Sequence, residues 1–165
     1  MLIAALAVAA TSAGPAPAQE LPVRPAGLNL IPWPKALALQ EGRMELTASS
    51  RIVAASDGLT PLAGILSDEM YLATGRRLAT ATGEGKAGDI VLKVNKAIKA
   101  DADIYTVQNN KFTYARDYAH TIAITDRVVV EGFDYRAAAE GSATLLQALA
   151  VEGDKLTLPK MTVKD

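Results

Sequence analysis

The chain has 165 residues, half of them apolar, with 17 basic and 18 acidic side chains, one histidine, no cysteine and a formal net charge of −1. That length fits one compact domain, since single domains run to roughly 100–150 residues. The balanced charge and a pI near 5.9 exclude the basic field that concentrates a nucleic acid, and the missing thiols exclude disulfides, thiolate chemistry and cysteine-bound zinc.

Residues 2–10 are wholly apolar and are followed by Ala16-Pro17-Ala18, a small-x-small site of the kind a signal peptidase cuts. The run is too short for the ~20 residues that span a bilayer, so residues 1–18 are expected to be an export signal, leaving Gln19 as the new N-terminus. One feature departs from that pattern: no Lys or Arg precedes the apolar run. No later stretch is apolar enough to enter a bilayer, so the exported product is expected to be free of the membrane, periplasmic or extracellular. Residues 19–34 carry Pro22, Pro25, Pro32 and Pro34 and are expected to lie extended along a surface, with Trp33 as an apolar anchor.

A folded unit over residues 35–158 begins with alternating residues at 37–39 and 44–46 about Glu41-Gly42, which read as a short hairpin, and 51–55 reads as a third strand. At Thr60-Pro61 the period changes. Thr60 is placed to cap, Pro61 suits the first turn, and Leu62, Ile65, Leu66, Met70 and Ala73 share a face until Gly75 stops the helix. A Gly-rich loop follows, then a strand over 89–95 with Ile90, Leu92 and Val94 on one side. Residues 104–108 and 111–114 suggest a hairpin about Asn109-Asn110. Residues 118–125 and 128–131 form a second hairpin, with Tyr118, His120, Ile122 and Ile124 on one face. Asp134 is placed to cap a helix running to Ala150, whose small residues (Ala137, Ala138, Ala139, Gly141, Ser142, Ala143) let its axis approach the sheet or its neighbour closely before Gly153 ends it. Residues 156–158 and 161–163 are short extended pieces about Pro159. The expected fold is α+β: a mostly antiparallel or mixed sheet with two helices packed on one face.

Candidate sites are few. The run Gly83-Glu84-Gly85-Lys86-Ala87-Gly88 matches the glycine spacing of a dinucleotide fingerprint, but it leads into a strand, whereas that fingerprint needs a helix N-terminus to meet the pyrophosphate. His120 stands alone, which excludes metal sites built on two histidines, and its strand companions mark it as a packed residue. Asp68 and Glu69 are neighbours on a helix and point about 100° apart, so they do not converge. The serines lie in no nucleophile elbow. Asp101, Asp103, Asp117 and Asp126 lack cation-loop spacing. No catalytic residue, metal ligand or cofactor site is assigned. Tyr105, Phe112, Tyr114 and Tyr118 crowd one region, where they either stack on sugar rings or fill the sheet.

The order of landmarks resembles a known family. Ile31-Pro32-x-Pro34 before the first strands, Thr74-Gly75-Arg76 closing a helix, Gly88-Asp89-Ile90-Val91-Leu92, Tyr118 opening a strand, and Gly141-x-x-Thr144-Leu145-Leu146-Gln147-x-Leu149 are similar to the N-terminal domain of family 20 glycoside hydrolases, the β-N-acetylhexosaminidases and chitobiases. The resemblance runs from about Asn29 to Asp165. It implies a sheet carrying two helices on one side, in front of a (β/α)₈ barrel of about 250 residues, with residues 159–165 as the start of the connector. It implies substrate-assisted hydrolysis of N-acetylhexosaminides by a Glu and an Asp of that barrel, neither of which this sequence supplies. The chain is thus expected to be a non-catalytic scaffold, a fragment or truncated frame, with the barrel as partner in cis or as a separate chain; a stand-alone carbohydrate-binding module for N-acetylglucosamine-containing glycans is the alternative. Two departures stand out: small residues over 139–143 where the family is bulkier, and a longer link over 96–117.

Overall fold

The computed structural model of the chain describes Pro25, residues 27–98 and residues 119–165. The described residues form β1 (Ala36–Leu46), β2 (Arg51–Ala54), α1 (Thr60–Thr74), β3 (Ala79–Thr82), β4 (Ile90–Val94), β5 (His120–Ile124), β6 (Val128–Gly132), α2 (Tyr135–Gln147), β7 (Ala150–Glu152) and β8 (Lys155–Lys164). The strands make one sheet in the order β1-β8-β5-β6-β4-β2-β3, with β7 paired to the start of β8. From β1 to β6 neighbours are antiparallel, and from β6 to β3 they are parallel. Parallel neighbours need a crossover, and α1 supplies the one from β2 to β3. Both helices lie on the same face, where they touch each other. This is the α+β mixed sheet expected from the sequence.

Several local expectations hold. Asp134 is the N-cap of α2 and its carboxylate accepts from the Ala137 amide at 2.9 Å. Gly75, left-handed at φ 73°, ends α1 with its amide bonded to the Tyr71 carbonyl. The hairpin of β5 and β6 pairs Ile122 with Val130 and Ile124 with Val128.

Others are corrected. The first hairpin does not form: residues 36–46 are one strand against β8, and Gly42, at φ 90°, sits in a register shift between Leu39 and Arg43 instead of a turn. Both arms of that presumed hairpin find the same long partner, which absorbs the extra residues as a bulge. Thr60 is the first helical residue and not a cap; Leu59 takes the cap position at the end of a 3₁₀ turn (Asp57–Leu59), whose backbone bonds run straight into the helix. Residues 79–82, read as loop, are β3, an edge strand of alternating Ala and Thr too weakly apolar to announce itself. α2 stops at Gln147, and Gly153 turns the β7–β8 hairpin. The two pieces about Pro159 are one strand. On one side of β8, β7 pairs with 155–157 and β5 with 161–164, and Pro159 falls between them, where a residue with no N–H to give is tolerated.

The core lies between the sheet and the helices. Ile52, Ile90, Leu92, Ile122, Ile124, Leu158 and Met161 from the strands meet Leu62, Leu66 and Met70 of α1 and Leu145 of α2. Ile65, assigned to the same face by its spacing, is instead 53% exposed. The small residues of α2 act as expected: a Cβ on Gly141 would lie 2.7 Å from Val130 Cγ1 and 3.2 Å from His120 Cδ2.

The Pro-rich lead-in is tied into this core. Leu28 and Leu30 are buried and Trp33 packs against the cluster. The side chain of Gln147 brackets Ile31, its Oε1 accepting from the Ile31 amide at 2.6 Å and its Nε2 donating to the Ile31 carbonyl at 3.1 Å. Both bonds are exposed, so Gln147→Ala is expected to cost about 1 kcal/mol, read as a lower urea midpoint at unchanged slope.

Candidate functional site

Tyr105, Phe112, Tyr114 and Tyr118 lie outside the described residues, as do Asp101, Asp103 and Asp117. His120 is on β5, 3% exposed, with Nε2 at 3.5 Å from Thr144 Oγ1. That His–Thr pair is not arranged as base and nucleophile. The Thr144 hydroxyl donates to the Glu140 carbonyl at 3.1 Å, and Gly141 closes over the imidazole. Asp68 pairs with Arg77 at the protein surface, away from Glu69. Among the described residues no group of three or more His, Asp or Glu side chains is placed to hold a metal ion, and no helix is long and apolar enough to cross a membrane.

The glycine run joins β3 to β4, and no helix follows it, so its amides do not converge on a phosphate as a dinucleotide fingerprint requires. What holds the run is Asp89, which the sequence did not mark. This carboxylate is fully buried. It accepts from the Arg51 guanidinium at 2.6 and 3.3 Å, from the Arg51 amide at 3.1 Å and from the Lys86 amide at 3.0 Å. Burial pushes its pKa up, but the hydrogen bond from Arg51, those from the two amides and the charge of Arg51 outweigh it and hold the carboxyl below the usual aspartate value. The same bond raises the pKa of Arg51. A charged residue opening an apolar strand was the available signal; its partner 38 residues away was not readable.

Small and β-branched side chains form the middle of the sheet face turned away from the helices. The strand register aligns Ala38, Thr162, Ala123, Val129, Val91, Val53 and Ala81 in one row across it. A groove of about 470 Å³ opens over Val91 and Val129, rimmed by Gly83, Glu84, Gly85, Lys93 and Arg127. Both of its cations are engaged, Lys93 with Glu131 at 3.1 Å and Arg127 with the Gly85 carbonyl at 3.1 Å. Among the described residues, this face brings together no group of three or more His, Asp or Glu side chains.

The sequence profile of glycosyl hydrolase family 20, domain 2, matches residues 27–165. The chain belongs to that family. No curated protein sequence matches it significantly. Solved structures of family 20 enzymes share its fold. The exo-β-N-acetylglucosaminidase of Vibrio harveyi in complex with N-acetylglucosamine matches with a TM-score of 0.63 at 16% identity, over 91% of this chain and 21% of that one. The β-N-acetylhexosaminidase of Streptomyces coelicolor A3(2) matches with a TM-score of 0.62 at 20% identity, over 82% of this chain and 26% of that one. The fold is not confined to family 20, since CpGH84B also matches, with a TM-score of 0.54 at 16% identity, over 84% of this chain and 22% of that one. This family 20 chain thus spans about a quarter or less of the length of the solved chains it resembles, and it corresponds to a non-catalytic domain of such enzymes.

Proposed function

We propose that this chain is the front, non-catalytic domain of an exported β-N-acetylhexosaminidase, and that it supports a (β/α)₈ barrel which removes terminal N-acetylhexosamine from glycans. The observation that carries the reading is the family 20 domain 2 match over residues 27–165. The apolar run at 2–10 and the Ala16-Pro17-Ala18 site support export, with Gln19 as the mature N-terminus.

Capture of the natural protein with an antibody to this domain, followed by intact-mass measurement and N-terminal sequencing, tests the proposal. A mass far above 17.3 kDa, a first residue of Gln19, and release of nitrophenol from an aryl N-acetylglucosaminide by the captured protein are the expected results. A mass at or below 17.3 kDa overturns the enzyme-domain reading. Calorimetric titration of the 165-residue chain with N-acetylglucosamine oligomers is then decisive, because the tyrosine-platform reading of Tyr105, Phe112, Tyr114 and Tyr118 requires measurable heat.

A further inference from the structure

We infer that the free edge of β1 is a self-association surface, on which a second copy of this chain seats its own β1 antiparallel about a two-fold axis at Ala38. β1 closes one end of the sheet and pairs with β8 alone, so the backbone amides and carbonyls on its other side have no strand against them among the described residues. Such an edge is a template for another strand unless the sequence blunts it. Here the blunting devices stand at the two ends. Pro34 lies just before the strand, and a register shift follows Leu39, while residues 36–39 between them keep regular register with β8. The core also spills over this edge. Leu37 is half-buried against the cluster, and Leu39, opposite the buried Met161, is 46% exposed. A groove of about 500 Å³ runs alongside, with Pro34, Leu37 and Leu39 in its lining. Unpaired backbone beside an apolar row at the rim of a core is what one further strand covers.

The residues of the edge point to the occupant. Lys35-Ala36-Leu37-Ala38-Leu39-Gln40-Glu41 is complementary to itself when reversed: with Ala38 opposite Ala38, Leu37 faces Leu39 on both sides of the axis and Lys35 faces Glu41 beyond them. Directly opposed side chains of an antiparallel pair stand about 5 Å apart at Cβ, close enough for apolar contact and for ion pairing. Lys35 and Glu41 are both exposed, and among the described residues neither has an ion-pair partner within the chain. Glu41 falls within the register shift, so its side chain and not its backbone makes that match. The charges also select the register. A centre moved to Leu37 sets Lys35 against Leu39, and a centre moved to Leu39 sets Glu41 against Leu37. The contact is isologous, each copy giving and receiving the same groups, so it closes at two copies. β3, at the other end of the sheet, is the poorer edge. Its four residues, Ala79–Thr82, offer neither a charge nor a large apolar side chain.

Sedimentation equilibrium of the 165-residue chain at low salt, where exposed charges are least screened, tests the inference. A concentration-dependent equilibrium between monomer and dimer is expected. Lys35→Glu and Glu41→Lys, each alone, are expected to raise the dimer dissociation constant about tenfold, since either change sets like charges opposite each other at both ends of the pairing. An equimolar mixture of the two variants is expected to associate as the parent does, because each then meets its opposite charge, and so is the double variant Lys35→Glu/Glu41→Lys. Both side chains stand in water, so the melting temperatures of the variants are expected to equal that of the parent. The rescue separates the edge from association through the apolar run at 2–10, which these substitutions leave untouched. A chain that stays monomeric up to about 1 mM overturns the inference. So does a dimer that the single reversals leave unchanged, or one that mixing does not restore. None of these outcomes depends on the size of the natural product, so the inference and the function proposed above fail separately.

Discussion

Replacing Gly132 by alanine is expected to destabilise the domain by about 3 kcal/mol, the upper part of the usual range for overpacking. Gly132 closes β6, and its backbone has no unusual conformation. The demand is one of space: a Cβ there would lie 2.1 Å from the Ala138 nitrogen, 2.5 Å from the Ala137 carbonyl carbon and 2.7 Å from the Ala138 Cα. These are backbone atoms of the first turn of α2, so no rotamer change relieves the contact and the helix must move off the sheet. The same turn is fastened by the Asp134 cap. Urea unfolding of Gly132→Ala checks the figure. A loss no greater than that of an ordinary surface glycine would show that α2 is free to shift. Gly85 gives a milder comparison, because its added Cβ would meet the Cγ2 of Val91, a side-chain atom, at 2.3 Å.

Asp89→Ala is expected to cost a similar amount, about 3 kcal/mol at neutral pH, because it leaves the amides of Arg51 and Lys86 without their acceptor and removes the buried carboxylate that pairs with the part-exposed Arg51 guanidinium. Its pH dependence has a definite sign. The folded pKa of Asp89 lies below its ordinary value, so its contribution is fully present above the unfolded pKa of about 3.9 and is lost as pH falls through the folded value. The stability gap between parent and variant therefore narrows on acidification. Arg51→Met removes the guanidinium that offsets the burial of Asp89, and it is expected to move acid unfolding to higher pH. Denaturant titrations across the acid range read both effects. A gap that stays constant with pH would mean that the carboxylate does not titrate with folding.

The elements readable from sequence were those whose signals are local. Asp134 and Gly75 act within four residues of themselves, and the β5–β6 hairpin turns over three. The close approach of α2 was also legible, because a cluster of Ala and Gly on one helix has few other uses. Misreadings arose wherever the deciding partner was distant. Gly42 looks like a turn until β8, more than a hundred residues later, is placed beside both halves of β1. Gly153 follows α2 closely enough to pass for its stop, yet it belongs to a hairpin. Ile65 was assigned inward because α1 is apolar on two sides, and periodicity alone does not tell which side meets the sheet.

The sequence by itself determined the layer class, the two helices and the family. Amphipathic period, caps and the ordered landmarks from Ile31 to Leu149 are properties of short stretches of chain, written in side chains a few residues apart. Only the tertiary structure decided the parallel half of the sheet, the Arg51–Asp89 pair that secures the glycine loop, the contact between Gly132 and α2, and the outward placement of Ile65 and Leu72 on α1. Each of these depends on which distant segment occupies the neighbouring space. That is a matter of long-range pairing and exclusion of volume, and no local pattern of residues encodes it.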